Sequence, residues 1–558
     1  MGFIEPEDPP YDPFEWKQEP WYEQLEDACK AWVVQGYGAP GSVYLFYLAK
    51  IGLYIALWLF FCSFTPGLGN PWTLSSWWSD PTAFQKAILW SMAFEGLGLG
   101  CGSGPLTARY HPIVGGFLYF LRPGTIKRPL FPELPFFGRE KRNWFDVGLY
   151  ALHYGFLFYA LTRPELTVGH FLPIVILLPL LALTDKTLFL ASRGEHFYWT
   201  TICFLFVGDW IAGAMAVHLS LWIWAGVAKL HHHYPYVLGV MSSNSPVKPW
   251  PAFKKMFYRS YPDDLRPSNL AYSLATSARL LEIGFPLLLV FGTGGWMTTT
   301  GLLLMVGFHV YITSNFPMGI PVEWNVHMVY GGLFLFGHHA DVYFWNIDSP
   351  VLATFLVAVL VVLPLVGHLF PSKVSFLVAM RYYAGNWPFS VWLFKSEDEP
   401  WKKLEENLVN PSCWPPDQLR MFYDEETVTA TLSKIPAFRA MHLHGRTLQD
   451  LLPKAVDDVD DYVFIDGELI AGMTIGWNFG AGHLHDEGLL RTLQNQCDFD
   501  EGELRCIFVE SQPLWKPSLR WRIADAKTGR QDQGEARIKD LLELQPWPEP
   551  DADEPEKN

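Results

Sequence analysis

Residues 351–369 read VLATFLVAVLVVLPLVGHL, and this stretch decides the class of fold. It contains no acidic residue, no lysine and no arginine, and His368 is its one ionisable side chain. A helix of about 20 mostly apolar residues is long enough to cross the hydrocarbon core of a bilayer. The stretch therefore predicts a membrane-spanning helix. Residues 43–63 form a second run of this kind, with Lys50 as the only charged side chain.

Seven further apolar runs lie between these two, and their predicted bounds are 84–103, 144–162, 170–190, 200–228, 271–293, 296–314 and 323–340. One long apolar run also occurs as a buried helix in a large soluble enzyme, but a whole series is typical of a membrane protein. We therefore predict an α-helical polytopic membrane bundle of about nine transmembrane helices, a multi-pass integral membrane protein. Nine spans would place the two ends of the chain on opposite sides of the membrane.

Charge divides the 558 residues, which carry a net charge of −16, into regions. Only about one residue in ten is charged between 43 and 370, whereas residues 1–42 and 371–558 have net charges of −7 and −13. Without a basic surface, nucleic acid is excluded as a partner. We predict an acidic N-terminal segment at 1–42, a transmembrane helical domain at 43–370, an interfacial linker at 371–424, a β-rich soluble domain at 425–544 and a disordered acidic tail at 545–558.

The small β-rich soluble C-terminal domain is predicted from short alternating or apolar runs that follow residue 425. Tyr462–Ile475 resembles two strands joined at Asp466-Gly467, a common hairpin turn pair. Cys497 and Cys506 are close enough in sequence to form a disulfide if the domain faces an oxidising compartment, but spacing alone does not establish the bond.

Ionisable residues inside the predicted spans are functional candidates, because a charge at bilayer depth costs free energy. They are Glu95, Asp146, His153, Asp185, Lys186, Asp209, His218, Lys229, Arg279, Glu282, His309, Glu323 and His327. Each also has a structural explanation. A lysine near a helix end can extend its ammonium to the interface. Arg279 and Glu282, three residues apart, can neutralise each other on one helix face.

The segment Trp222–Val240, WIWAGVAKLHHHYPYVLGV, is the most informative of these. A lysine desolvated at a helix end, such as Lys229, can serve as a base. The histidines that follow, His231–His233, point about 100° apart on a helix and can share a metal only from a loop. We favour an interfacial or hydrogen-bonding role for them. Likewise, His483-x-His485-Asp486-Glu487 fits a solvated loop better than a metal site, so no metal is predicted.

Three elements in order carry a resemblance to a known membrane module. They are Gly226-Val227-Ala228-Lys229-Leu230, the run from Arg279 to Leu288 that contains Glu282, and Phe308-His309 followed by Asn315-Phe316-Pro317-Met318-Gly319. This pattern resembles the horizontally transferred transmembrane domain, the module shared with vitamin K-dependent γ-carboxylases. The whole chain also resembles a family of uncharacterised multi-pass membrane proteins found in bacteria and fungi.

The resemblance to the carboxylases implies that Lys229 is a base acting on a quinone-like molecule and that Glu282 and His309 line its cavity. Protein γ-carboxylation itself is not expected, because the chain has no recognisable binding region for a glutamate-rich propeptide. What the resemblance implies is a polar cavity, within the bundle, that holds a quinone or a lipid.

We therefore predict a membrane enzyme that acts on a lipid or quinone-like small molecule with a lysine base. The alternatives are a transporter of lipids or small molecules, and a membrane scaffold without catalytic activity. Expected partners are membrane lipids and a small hydrophobic ligand. The predicted catalytic residues are Lys229, Glu282 and His309, and the predicted cofactor-binding residues are Arg279, Asp209 and His327.

Overall fold

The computed structural model describes residues 3–100, 119–315, 321–382, 384–395, 402–409, 415–477 and 482–549. Each of the nine predicted apolar runs contains a helix. In chain order these are α1 (Gly41–Cys62), α2 (Pro81–Gly96), α3 (Trp144–Leu161), α4 (Val168–Thr184), α5 (Trp210–Ala228), α6 (Asn269–Phe291), α7 (Trp296–Thr313), α8 (Val322–Gly332) and α9 (Pro350–Leu369). Residues 316–319 of the carboxylase-like pattern lie outside the described residues.

Shorter helical segments connect and flank these nine. Before and between them lie Pro13–Trp16, Trp21–Gln35, Leu74–Trp77, Lys186–Ala191, Gly194–Tyr198, Trp199–Cys203, Tyr234–Ser243, Pro251–Lys255 and Leu333–His338. The C-terminal region contributes Lys402–Asn407, Pro415–Leu419, Glu425–Leu432, Ile435–Ala440, Leu448–Ala455, Gly467–Ile475, Glu487–Cys497 and Ile538–Leu541. The segments Gly194–Tyr198 and Leu333–His338 have the wider turns of a π-helix.

Five helices of the described residues are long and apolar enough to cross a membrane: α1, α5, α6, α7 and α9. The predicted number of nine spans is therefore not confirmed. The 17 residues of α4 are apolar but fewer. Helices α2 and α8 have 16 and 11 residues, and most of their side chains are buried in protein. A helix surrounded by protein can carry polar residues that a lipid-facing helix could not.

The exposed sides of the long helices are apolar. In α1, α6, α7 and α9 only 28% of the apolar window is buried within the protein. Large side chains there are mostly exposed, for example Leu280 at 66%, Leu303 at 69% and Val351 at 68%. Continuous apolar surface of this kind is typical of helices that face lipid. Helix α5, with 67% of its window buried, is the central helix and packs against α6, α8 and α9.

The two ends of the chain lie on the same face of the bundle. The Tyr11 hydroxyl lies 2.8 Å from Ser433 Oγ, and the rings of Trp32 and Phe438 are 5.7 Å apart. The N-terminal segment therefore packs against the C-terminal region, whereas nine membrane crossings would place the two ends of the chain on opposite sides.

Short helical segments connect α4 to α5. Lys186, at the start of this stretch, donates to the carbonyl of His483 in the C-terminal region. Asp209, at its end, accepts from the backbone of Ser349, which precedes α9 on the opposite face. Polar residues from Asp185 to His196 interrupt the apolar pattern in this stretch.

The C-terminal region contains a five-stranded antiparallel sheet. A short ribbon of β1 (Tyr258–Ser260) and β2 (Asp264–Pro267) precedes it in the chain. The sheet has the order β4-β3-β5-β6-β7, with β3 (Phe389–Lys395), β4 (Tyr462–Asp466), β5 (Leu504–Val509), β6 (Ser518–Asp525) and β7 (Gly529–Arg537). The inner strand β3 is buried except for Lys395 and lies within the segment predicted as an interfacial linker. An apolar aromatic strand enclosed by two neighbours resembles a membrane-surface segment in sequence.

The predicted hairpin over Tyr462–Ile475 is wrong. Strand β4 ends at Asp466, whose carboxylate accepts from the backbone N–H of Glu468 at 2.9 Å and begins the helix Gly467–Ile475. Aspartate is a preferred N-cap as well as a turn residue, so the Asp-Gly pair alone did not distinguish the two. Cys497 and Cys506 are buried and free.

The start of the predicted acidic tail is packed. Gln545 accepts from the backbone N–H of Leu265 at 3.0 Å, and Trp547 is buried. Residues 550–558 lie outside the described residues.

The common face of the two ends is testable with compartment-specific reporters fused separately to each terminus. We expect both fusions to report the same compartment, because Tyr11 contacts Ser433. A reporter inserted at Gly294-Gly295, between α6 and α7, should report the other compartment. Opposite readings for the two termini would contradict this arrangement.

Candidate functional site

Lys229 and Glu282 form an ion pair between α5 and α6. Lys229 is the first residue after α5, and its ammonium donates to Glu282 Oε2. The two side chains are only 6% and 4% exposed. Gly226 allows the helices to approach closely, since a Cβ there would lie 2.6 Å from Ile283 Cγ1. Two predicted catalytic residues are therefore in direct contact.

Aromatic rings surround the lysine. Its Nζ lies 5.2 Å from the centre of the Tyr234 ring and 5.7 Å from that of Phe308. A cation over the face of an aromatic ring is stabilised electrostatically while water is excluded. Phe308 immediately precedes His309, and the charge of Lys229 acts on the His309 ring. The third predicted catalytic residue thus lies in the same part of the bundle.

His309 is held by two hydrogen bonds. Its Nδ1 lies 2.8 Å from Asn325 Oδ1, and its Nε2 accepts from Trp222 Nε1 at 3.1 Å. Because Nε2 accepts, the ring is neutral and carries its proton on Nδ1, which donates to the asparagine. Both nitrogens are engaged, so the orientation of the ring is fixed.

The predicted cofactor-binding residues do not gather at one place. Arg279 is half-buried and donates to Thr276 Oγ1, one turn earlier on its own helix, at 2.5 Å. Asp209 accepts from the backbone N–H groups of Asp348 and Ser349 at 3.1 and 2.9 Å on the face opposite the C-terminal region. Of the three, His327 alone joins a polar cluster in the bundle interior.

His327 lies in a cluster with His196 and His218. One ring nitrogen from each residue lies within 4.8 Å of the others, and all three residues are buried. The ring centres are 4.9, 5.2 and 6.0 Å apart. His218 comes from α5, His327 from α8, and His196 from the wide-turn segment Gly194–Tyr198. We refer to these three residues as the histidine cluster.

His218 and His327 are each predicted from sequence as buried ionisable groups. The sequence did not predict that they lie together, and His196 was not among the candidates. The three histidines lie far apart in the chain and follow no ligand-spacing motif. Only the unusual density of polar residues within apolar helices indicated them.

Nδ1 of His196 and Nδ1 of His327 have protein partners. Trp324 Nε1 donates to His196 Nδ1 at 3.1 Å. His327 Nδ1 lies 3.4 Å from Ser91 Oγ, whose own proton goes to the carbonyl of Ala87. His327 is therefore the donor to the serine. Nε2 of all three rings is buried without a hydrogen-bond partner among the described residues, which costs about 1–3 kcal/mol for each such group.

Two indoles connect the histidine cluster to the predicted catalytic residues. Trp222, which donates to His309, has its ring 5.7 Å from that of His218. Trp324, which donates to His196, has its ring 6.2 Å from that of His309. The two polar groups are therefore parts of one continuous interior network.

Further buried charges lie beside the histidine cluster. Lys50 Nζ is 3.1 Å from Glu323 Oε2, and Glu323 lies one turn before His327 on α8. Arg193 pairs with Glu195 at 3.0 Å, next to His196. Glu95 is buried and close enough to interact electrostatically with both groups. Three carboxylates and two cations therefore adjoin the cluster.

The other histidines singled out from sequence make hydrogen bonds in or to the C-terminal region. His233 Nε2 lies 3.1 Å from Gln512 Oε1, which fits the hydrogen-bonding role predicted for His231–His233. His483 lies 3.1 Å from both carboxylate oxygens of Glu510. His485 Nδ1 lies 2.6 Å from Ser390 Oγ. These contacts join separate elements.

Asp486 is the acidic part of this connection. It pairs with Arg128, which precedes α3. Burial alone would raise the pKa of the Asp486 carboxyl, but the charges of Arg128 and Lys186 outweigh burial and lower the pKa to about 2. The pair is therefore ionised at neutral pH and attaches the C-terminal region to the bundle.

The chain matches one protein family over residues 1–558, and that family is described as transmembrane protein of unknown function (DUF3556). No curated protein and no solved structure matches it.

The buried ion pair makes a testable contribution to stability. Glu282→Leu alone leaves the Lys229 ammonium without its counter-charge, and we expect a loss of about 3–5 kcal/mol. The double variant Lys229→Met/Glu282→Leu removes both charges and should be clearly more stable than the single one. As a control, Asp498→Asn removes the exposed partner of Lys527 and should change stability by about 1 kcal/mol or less. Unfolding in detergent measures all three, and equal losses for the single and double variants would contradict a buried pair.

Proposed function

The chain belongs to this transmembrane family, and we propose that it is a membrane enzyme that acts on a lipid or quinone-like small molecule within the helical bundle. The observation that supports this function is the buried pair of Lys229 and Glu282 beside His309. Ionised groups are costly in an apolar interior unless they are paired, and they are rare there without a functional role.

The pairing suggests how the roles are divided. An ammonium that already donates to a carboxylate has no lone pair with which to accept a proton. We therefore assign proton acceptance to Glu282, whose carboxylate takes the proton of a substrate O–H. Lys229 then stabilises the substrate oxyanion that forms. This division modifies the expectation from sequence, in which Lys229 is the base.

His309 is the third member of the proposed site. Asn325 and Trp222 hold its ring at fixed orientation and in one tautomer. A fixed neutral imidazole supplies a polar wall next to the charged pair without adding a competing charge. Such preorganised dipoles act strongly where water is excluded.

The surroundings of the pair favour an apolar substrate. Exposed side chains such as Leu280 and Leu287 cover the outer side of α6, and the inner side of the same helix carries Glu282. A substrate dissolved in lipid would therefore reach the pair between helices rather than from water, with its polar group inserted between Lys229 and Glu282.

A transporter is the second candidate, and a specific arrangement favours it. The pair Lys50–Glu323 and the buried Glu95 continue the polar interior beyond His309, as charges along a translocation path would. In that case the substrate would cross the bundle unchanged. A membrane scaffold without catalytic activity is the third candidate, since the C-terminal region packs against the bundle.

Glu282→Gln tests the enzyme directly, because it keeps the shape of the side chain and removes the base. The protein reconstituted in vesicles is incubated with a lipid extract of its native membranes, and mass spectrometry follows the species consumed and formed. We expect conversion to fall about 10²–10⁴-fold in the variant. Asp146→Asn is the matched control, since it removes the carboxylate of another buried pair, with Lys127 at 2.7 Å, and should retain conversion.

The outcomes separate the three functions. Equal conversion by wild type and Glu282→Gln contradicts the proposed base. Movement of an unaltered species across the vesicle membrane, lost in Glu282→Gln, supports the transporter. Neither conversion nor movement in the wild type supports the scaffold.

A further inference from the structure

We propose that the histidine cluster, His196, His218 and His327, binds a divalent first-row transition metal ion. No metal is expected from the sequence. This site is separate from the reaction proposed at Lys229 and Glu282, because it depends only on the geometry of these three side chains.

The donor set fits such an ion. Neutral imidazole is the commonest protein ligand for zinc, iron, cobalt and nickel, and oxygen-seeking ions such as magnesium and calcium are disfavoured by it. Three histidines also leave a coordination position open, as in catalytic zinc sites. A metal here would therefore have room for a further ligand.

Unsatisfied nitrogens point to a missing partner. Nε2 of each ring is buried and has no hydrogen-bond partner among the described residues. Buried polar atoms in proteins are nearly always paired, and three unpartnered ring nitrogens in one place call for an explanation. One cation bound to the three rings would satisfy all of them, once the His196 proton has moved from Nε2 to Nδ1.

Local charge favours a cation. Glu95, Glu195 and Glu323 adjoin the cluster, and Lys50 and Arg193 are the cations among them. Carboxyl groups therefore outnumber cations beside the three neutral rings. A divalent cation bound there would be attracted by these groups in their ionised form, and the attraction is strong in a medium of low dielectric constant.

The distances allow closure around an ion. In a tetrahedral site with metal–nitrogen bonds of about 2.0–2.1 Å, the ligand nitrogens are about 3.4 Å apart. Within the cluster the ring nitrogens lie within 4.8 Å of one another. Side-chain rotations that move each nitrogen by less than about 1 Å would complete the site. Ser91, to which His327 Nδ1 donates, provides the outer hydrogen bond that metal-binding histidines usually have.

The absence of a side chain at Gly331 leaves space for the His218 ring. Gly331 lies one turn after His327 on α8, and a Cβ at this position would be 2.4 Å from Nε2 of His218. Any larger residue would push the His218 ring away from its neighbours. Glycine at this position therefore preserves the convergence of the three side chains.

Trp324 competes with a metal for His196. Its indole donates to Nδ1, which leaves the ring proton on Nε2. A metal bound at Nε2 requires that proton to move to Nδ1, and the hydrogen bond from the Trp324 indole must then break. Replacing Trp324 by Phe removes this competition and should therefore leave metal binding equal or stronger.

The test measures metal in the full chain, purified in mild detergent with an affinity tag that contains no histidine. Cells are grown with zinc, iron, manganese and cobalt, and elemental analysis gives the metal content per chain. We expect one equivalent in the wild type and a loss of about tenfold or more in His218→Ala and His327→Ala. His153→Ala is the matched control. His153 is equally buried, and neither of its ring nitrogens has a partner within the described part of the chain, but it lies outside the cluster. Its variant should retain the metal.

Cobalt provides an independent readout. Co²⁺ bound to three imidazoles gives visible ligand-field absorption, so titration of metal-stripped wild-type protein should produce this spectrum at one equivalent. The spectrum should weaken in Gly331→Ala and persist in Trp324→Phe and Glu282→Gln. Persistence in Glu282→Gln keeps this proposal separate from the one on catalysis.

Two results would overturn the metal site. One is a wild-type protein that carries no stoichiometric metal and gives no cobalt spectrum on titration. The other is equal metal content in His218→Ala and His153→Ala. If the alanine variants do not fold, the wild-type titration and the Gly331→Ala variant decide the question.

Discussion

A charge placed inside a lipid bilayer must find its counter-charge within the protein, because no water is present to solvate it. This constraint shapes the bundle. The pair Lys229–Glu282 joins α5 to α6, and the pair Lys50–Glu323 joins α1 to α8. Each pair fixes which helices are neighbours and which of their faces turn inward. The remaining faces are apolar and exposed, so the same constraint separates a lipid-facing surface from a polar interior.

Helical segments and buried charges were accessible from the sequence because each depends on local composition. Every predicted run contains a helix, and Lys229, Glu282 and His309 lie in one part of the bundle. Features that depend on distant partners were not accessible. Arg279 lies in the same apolar sequence as Glu282. Its guanidinium donates to Thr276 on its own helix, whereas Glu282 pairs with Lys229 on another helix.

The elements that were not predicted from the sequence share one physical reason. The stretch between α4 and α5 contains Asp185, which pairs with the distant Arg142, and Arg193 and Glu195, which pair with each other in the folded interior. Before folding, these residues resemble a loop. Strand β3 is apolar because it lies between two other strands and under helices, and its enclosure is set by segments far along the chain. Charge pairing and enclosure depend on tertiary structure. A single sequence shows each residue but does not show which distant residue it contacts.

Tryptophan has a particular use in this interior. An indole presents a large apolar body and one N–H donor, so it can satisfy a buried nitrogen without introducing a charge. Trp222 and Trp324 each donate to a histidine, His309 and His196, and each also approaches the histidine of the other group. The donor fixes the tautomer of its histidine, and the shared rings fix the spacing between the two groups. Any rearrangement of the histidine cluster must therefore move an indole that also contacts His309, and through it the surroundings of Lys229 and Glu282.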